Sequence, residues 1–255
     1  YQFHWRRFLF ENFPKGTGFP ALKAPAIADA LPLAAVQAFS VDDSHTTEID
    51  DALSVTGLGS GTVRVGIHIA APGLALAPGG PIDQVARARM STVYMPGHKI
   101  TMLPDEVVET YTLQEGRDCP AVSLYADFDE ATLALKASET RLERVPIVAN
   151  LRHDQLDGFI TQAWLEDTAV DNAGTPEIAV RLREPLSFLF RLAKQLKAQR
   201  EVVRGKPESF NRPDYNFRLP DAQGEPTGNE RVQITTRQRG APLDLIVSEA
   251  MILAN

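Results

Sequence analysis

The spacing of apolar and polar positions divides the chain into segments of two periods. Residues 62–70 alternate, with Val63, Val65, Ile67 and Ile69 on one face and Arg64, Gly66 and His68 on the other, which predicts a strand. The glycine-rich run before it, residues 57–61, reads as a hairpin turn and lacks the spacing of a dinucleotide or phosphate loop. Residues 121–128 alternate again through Val122, Leu124, Ala126 and Phe128, and Asp129-Glu130 turn the chain into residues 132–142 as a second hairpin. Helical spacing opens at residues 83–90 and ends before Pro96-Gly97, beside Tyr94. A helix-like segment is expected from Asn150 through Trp164. The clearest helix covers residues 186–206, where Leu189, Leu192, Ala193, Leu196 and Val203 recur near helical spacing and Gly205 supplies the stop. Arg191, Lys194, Lys197, Arg200 and Arg204 decorate its remaining surface, the usual sign of a solvated face. Another helix begins near Asp244 and carries Glu249. At the other end, residues 1–13 read as a helix rich in aromatics, and the Ala- and Pro-rich residues 21–33 read as a connector. The expected division is an extension or linker over residues 1–35 and a domain over residues 36–255.

One stretch follows neither period. Residues 38–54 read AFSVDDSHTTEIDDALS, with carboxylates at Asp42, Asp43, Glu48, Asp50 and Asp51 and no Lys or Arg among them. Val36, Phe39 and Val41 precede the cluster, and Ile49, Ala52 and Leu53 lie within and after it. A solvated acidic tail is not bracketed in this way. Carboxylates partly withdrawn from water repel one another, so some must hold protons or share a cation. With no basic neighbour in sequence, a divalent metal is the simplest partner, and an all-oxygen donor set suits Mg²⁺, Mn²⁺ or Ca²⁺ better than zinc. In a regular strand Asp50 and Asp51 would face opposite ways, so both serve one site only if the backbone leaves strand geometry there. A calcium loop does not fit, because Thr47 and Leu53 occupy its glycine and glutamate positions. The plain alternative is a solvated acidic turn.

Composition narrows this only a little. The 255 residues form one large domain or two small ones, and 44% hydrophobic with 23% charged residues is ordinary for a globular chain with a core. A net charge of -7 argues against a basic nucleic-acid coat without excluding a nuclease, whose substrate phosphates would need local Lys and Arg. The single Cys119 rules out an internal disulfide and suits a reducing compartment, which makes the cytoplasm the expected location. No apolar run is long enough to span a bilayer. Covalent catalysis finds little support: Ser40, Ser44 and His45 lack a strained elbow, and Cys119 has no local base. His68 either looks into a site or is a hydrogen-bonded histidine beneath a loop.

The segment FSVDDSHTTEIDDALS resembles the signature of the ribonuclease II family catalytic domain. The resemblance continues in GIHIAAPG (residues 66–73), ARARMSTVYMPGHKITMLP (86–104), RPDYNF (212–217) and VSEAMILAN (247–255), in the family's order. It implies an α+β fold, a mixed sheet with helices around a channel for single-stranded RNA. It also implies a Mg²⁺-dependent 3′→5′ exoribonuclease, with Mn²⁺ as a possible substitute, that releases 5′-nucleoside monophosphates. Asp42, Glu48, Asp50 and Asp51 then fill the family's four acidic metal positions, with Asp50 the most indispensable. Glu48 stands where the family more often has Asp, and Asp43 has no matching role and is expected to face solvent. Tyr94 inherits a place along the RNA channel, with Arg89 in the same block. His153 stands where the family often has a tyrosine that stacks on the RNA end. Phe217, or failing that Tyr215, is the second stacking aromatic. The family's catalytic arginine and the oligonucleotide-binding barrel that commonly follows lie outside these residues, so the resemblance makes this the N-terminal part of a larger catalytic domain. A non-catalytic RNA-binding relative and another metal-dependent phosphoesterase are the alternatives.

Overall fold

A computed structural model describes residues 2–20, 30–44, 46–166, 174–208, 214–222, 226–237 and 240–255. His45, Arg212, Pro213 and most of the expected connector at 21–33 lie outside the described residues. In chain order the first elements are α1 (Gln2–Asn12), β1 (Ala38–Asp42), β2 (Asp51–Thr56), β3 (Thr62–Ala70), α2 (Pro81–Arg89), β4 (Val93–Met95), β5 (His98–Ile100) and α3 (Asp105–Tyr111). Then come β6 (Asp118–Asp129), β7 (Leu135–Arg152), α4 (His153–Leu156), α5 (Gln162–Glu166), α6 (Glu177–Arg181), α7 (Arg183–Arg204), β8 (Asp214–Arg218), β9 (Gln233–Arg237) and α8 (Pro242–Ala254). They form two compact units, one of residues 28–71, 111–211 and 239–255, the other of residues 1–27, 72–110 and 212–238. These units are drawn differently from the division near residue 35, because residues 1–27 group with two later segments.

In the first unit β1, β2, β3, β6 and β7 close into a barrel in that order. Both expected hairpins are present, β2–β3 across residues 57–61 and β6–β7, and all their pairings are antiparallel. The Glu130 carboxylate holds the first turn by accepting from the N–H groups of Gly59 and Gly61 at 2.7 and 2.9 Å. A parallel pairing of β1 with β7 closes the barrel and sets Ser40 beside Asn150 and Asp42 beside Arg152. That pairing corrects the helix expected from Asn150. Residues 150–152 continue β7 because β1 offers them a ladder, and helix starts only at His153.

Period-2 alternation gives the sheet two buried faces. Leu53, Val63, Val65, Ile67, Ala126 and Phe128 share a core with Leu186, Leu189 and Leu192 of α7 and Leu243 and Ile246 of α8. Ala52, Cys119, Ala121, Val145 and Ile147 lie in a second cluster. His68 is buried on the side of Ala52, with Nε2 2.8 Å from Ser54 Oγ and Nδ1 2.8 Å from Ser123 Oγ. Burial pushes its pKa down to about 4, so it is a neutral, hydrogen-bonded core histidine rather than a site residue. Cys119 is likewise enclosed, and burial raises its thiol pKa, as expected of an inert thiol.

α7 runs as its periodicity requires and ends at Gly205, whose φ of 70° is the left-handed conformation glycine tolerates. Its basic residues are engaged internally, Lys194 with Glu166, Lys197 with Glu201, and Arg200 with Glu208 and the buried Glu249 of α8. In the second unit α1 carries Trp5 stacked on Phe8, and the β4–β5 and β8–β9 hairpins are each two-stranded. No helix among the described residues is long and apolar enough to cross a membrane.

Candidate functional site

The acidic stretch leaves strand geometry where the sequence requires it. β1 ends at Asp42, β2 begins at Asp51, and the described residues between them have no regular structure. Ile49 pins this loop. Its side chain is buried, its N–H donates to Thr112 Oγ1 at 2.8 Å, and its carbonyl accepts from Leu113 N–H at 2.9 Å. The Asp50 carbonyl accepts from Ala70 N–H at 2.8 Å. With the apolar side chain turned inward and the backbone tied down, Asp50 and Asp51 lie near enough to feel the charge of Asp42, and Asp50 that of Glu48. A second set of ties comes from β7 and α4. Arg152 Nη1 donates to the carbonyls of Asp43 and Thr46 at 2.9 and 3.3 Å, and the Asp154 carboxylate accepts from Ser44 N–H and Oγ at 3.0 and 2.7 Å.

The carboxylates act on one another. Burial pushes the Asp51 pKa up to about 6, with further increments from Asp42 and Asp50. Asp50, which keeps an exposed face, is raised by desolvation within the loop and then by Glu48 and Asp42. Asp42 is raised by burial, against the opposing effects of its Ser40 hydrogen bond, Arg152 and His153. These raised pKa values record desolvation first and, for Asp50 and Asp51, repulsion from neighbouring carboxylates second; a divalent cation would offset both, and the donor set is entirely carboxylate oxygen. Among the described residues no three His, Cys, Asp or Glu side chains already converge at metal-holding geometry. The donors therefore fit a hard cation by chemistry and charge, in an open rather than preassembled arrangement.

The remaining expected site residues are placed unevenly. His153 adjoins the acidic loop but is only 8% exposed, with Nε2 4.0 Å from Asp43 Oδ2 and Nδ1 3.9 Å from Asp157 Oδ2. A base needs an open ring face to stack on, and this imidazole, set among carboxylates, offers little of one. Asp43 is half-buried, with 35% of its side chain exposed. Arg89 belongs to the second unit, where its guanidinium donates to the carbonyls of Thr101, Thr17 and Gly18 at 2.6, 2.6 and 2.9 Å and lies over the Phe19 ring. It braces that unit, with three of its five N–H donors engaged in these bonds. Tyr94 on β4 is 66% exposed, and Tyr215 and Phe217, two residues apart on β8, are 53% and 51% exposed, so all three keep open ring surface. Phe217 also lines an apolar cavity of about 510 Å³ with Trp5, Phe8, Val93, Met95 and Leu219.

Sequence reasoning weighed Ser40 only as a nucleophile and passed over Asn150, Arg152 and Asp154 as site residues. Ser40 had a local signal, since it lies two residues before Asp42 on the same strand face. The other three lie about 110 positions from their partners: Asn150 and Arg152 arrive through a parallel register that no sequence period encodes, and Asp154 on the helix that follows it.

The RNB domain family matches residues 32–255. An uncharacterized ribonuclease of Synechocystis is 29% identical over 223 residues, covering 87% of this chain and 29% of that protein. Exoribonuclease 2 of Vibrio parahaemolyticus is 28% identical over 245 residues, covering 95% of this chain and 34% of that protein. The chain thus spans about a third of the length of these relatives. Among solved structures, Mycoplasma genitalium RNase R in complex with ribose methylated single-stranded RNA shares the fold at a TM-score of 0.67 and 16% identity, over 92% of this chain and 34% of that one. An active-site mutant of the Dss1 exoribonuclease from Candida glabrata gives 0.71 at 20% identity, over 99% and 32%. Yeast Ssd1, a pseudonuclease, gives 0.59 at 18% identity, over 91% and 26%.

Proposed function

This chain belongs to the RNB domain family, and from that premise we propose that it is the carboxylate-bearing part of an exoribonuclease. The proposed reaction is hydrolysis of single-stranded RNA from the 3′ end, one 5′-nucleoside monophosphate at a time. Mg²⁺, with Mn²⁺ as a substitute, would be held by Asp42, Glu48, Asp50 and Asp51. The observation that carries this reading is the acidic loop itself, whose carboxyl groups are raised in pKa by desolvation and then by one another, on a backbone fixed by Ile49 and Thr112. When bound, the cation supplies a Lewis acid for the phosphate oxygens and makes a water more acidic, so no protein nucleophile is required.

The chain's own groups supply position. Ile49 and Arg152 hold the loop, and Asp50, the most exposed of the four acids, is the one best placed to meet substrate. Tyr94, Tyr215 and Phe217 offer ring faces for stacking bases, which tolerates any sequence. The single enclosed thiol fits a reducing compartment such as the cytoplasm. Further domains of the same protein, including an oligonucleotide-binding barrel and the arginine that would meet the scissile phosphate, belong to the same proposal.

Two rivals remain. The likeness to a pseudonuclease makes a binding protein that does not hydrolyse the first, and another metal-dependent phosphoesterase is the second. Incubating the protein with 5′-labelled single-stranded RNA and Mg²⁺, with and without EDTA, separates them. The expected result is a ladder shortening from the 3′ end that EDTA abolishes. Tight RNA binding without cleavage in either Mg²⁺ or Mn²⁺ would favour the binding protein. Equal cleavage of a 2′-deoxy strand would favour the phosphoesterase.

A further inference from the structure

The strongest unassigned feature is a chain of hydrogen bonds behind Asp42. Ser40 Oγ donates to Asp42 Oδ2 at 2.6 Å, and among the described residues it is the one side chain that hydrogen-bonds this carboxylate. Ser40 is fully buried, and its Oγ accepts from Asn150 Nδ2 at 3.0 Å. Asn150 is Ser40's register partner across the parallel β1–β7 ladder. Its amide has only one consistent orientation. Nδ2 also donates to the Leu113 carbonyl at 2.9 Å, while Oδ1 accepts from Glu115 N–H at 2.8 Å. A flipped amide would set donor against donor at Glu115 and acceptor against acceptor at Leu113. Because Asn150 occupies the acceptor side of the hydroxyl, Ser40's single proton is directed to Asp42.

We propose that Ser40 and Asn150 are a positioning pair for the metal reading above: the backbone of residues 113–115 orients Asn150, Asn150 orients the Ser40 hydroxyl, and Ser40 fixes the Asp42 carboxylate through Oδ2, in the orientation in which it would hold the cation. The inference rests on that reading, since it assigns a purpose only if Asp42 is a ligand. Outer-shell partners of metal-binding carboxylates characteristically change affinity by about 10–100-fold when removed.

The test is Mn²⁺ affinity, read from the EPR signal of the free ion, on the protein and on Ser40→Ala, Ser40→Thr, Asn150→Ala and the Ser40→Ala/Asn150→Ala double variant, with thermal melts alongside. The expected result is about tenfold weaker binding for Ser40→Ala, near-native binding for Ser40→Thr, and a smaller loss for Asn150→Ala. The double variant is expected to be no worse than Ser40→Ala alone, because Asn150 acts only through Ser40. If Ser40→Ala binds Mn²⁺ as the unaltered protein does, or if the two losses add, the positioning pair is refuted while the metal reading stands. If the unaltered protein binds no Mn²⁺, the metal reading fails and the pair falls with it. Should Ser40→Ala not fold, Asn150→Ala decides by itself: unchanged affinity refutes the pair.

Discussion

Asp51 and His68 pull the pH dependence of stability in opposite directions. The Asp51 pKa is pushed up to about 6, by burial and then by Asp42 and Asp50, so the folded state holds this proton more tightly than the unfolded chain. Its contribution is complete below the unfolded value near 4 and is lost as pH rises through about 6. Burial lowers His68 to about 4, so its contribution is complete above its unfolded value near 6.5 and is lost as pH falls through about 4. Each limb is limited to roughly 3 kcal/mol at about 1.4 kcal/mol per pH unit, and solvent around the half-buried Asp51 reduces its share. In EDTA the unaltered protein should therefore show a shallow profile between pH 4.5 and 6.5, and single substitutions should unmask the limbs. Urea denaturation of Asp51→Asn should show stability rising with pH, and that of His68→Asn should show it falling. Parallel profiles for all three proteins would mean that neither group is perturbed as described.

At the scale of elements, the acidic loop is a guest of β7. Arg152 ties the carbonyls of Asp43 and Thr46 to the end of that strand. Arg152→Ala should cost roughly 1.5–3 kcal/mol, the range for a hydrogen bond involving a charged group. It should also speed amide exchange in residues 43–47 while β3 and β6 stay protected, which hydrogen-exchange mass spectrometry resolves. Unchanged exchange in the loop would show that Ile49 and Thr112 hold it unaided. The same elements mark how far the sequence could be read. Alternation revealed β3 and most of β6 because Val63, Val65, Ile67, Ala126 and Phe128 share one core with α7 and α8. Helical spacing and Gly205 revealed α7 because both signals are local. Residues 150–152 misled, since their conformation is set by a partner strand over a hundred positions earlier. The acidic loop was legible as a candidate site because its carboxylates are close together in sequence. The residues that orient it were not, and neither were the internal partners that occupy Arg89 and enclose His153.

For the whole molecule, the barrel matters as a frame that brings two sequence-distant edges together. β1 ends at Asp42 and β2 begins at Asp51, with Glu48 and Asp50 in the loop between them, and β7 carries Asn150 and Arg152, so closure between β1 and β7 is what assembles the candidate site. Tyr94, Tyr215 and Phe217 of the second unit were singled out by family resemblance alone, since an exposed ring and a core ring look alike in sequence; their rings are exposed. The central claim is that the loop from Asp42 to Asp51 is a metal-dependent hydrolytic centre. The most direct measurement compares the unaltered protein with Asp50→Asn on 5′-labelled single-stranded RNA in Mg²⁺, with RNA affinity measured in parallel. The account predicts that cleavage falls by at least about a hundredfold, the scale of losing one electrostatic group at a reacting centre, while RNA affinity stays within about threefold. Cleavage by Asp50→Asn at the unaltered rate would place the chemistry elsewhere and contradict it.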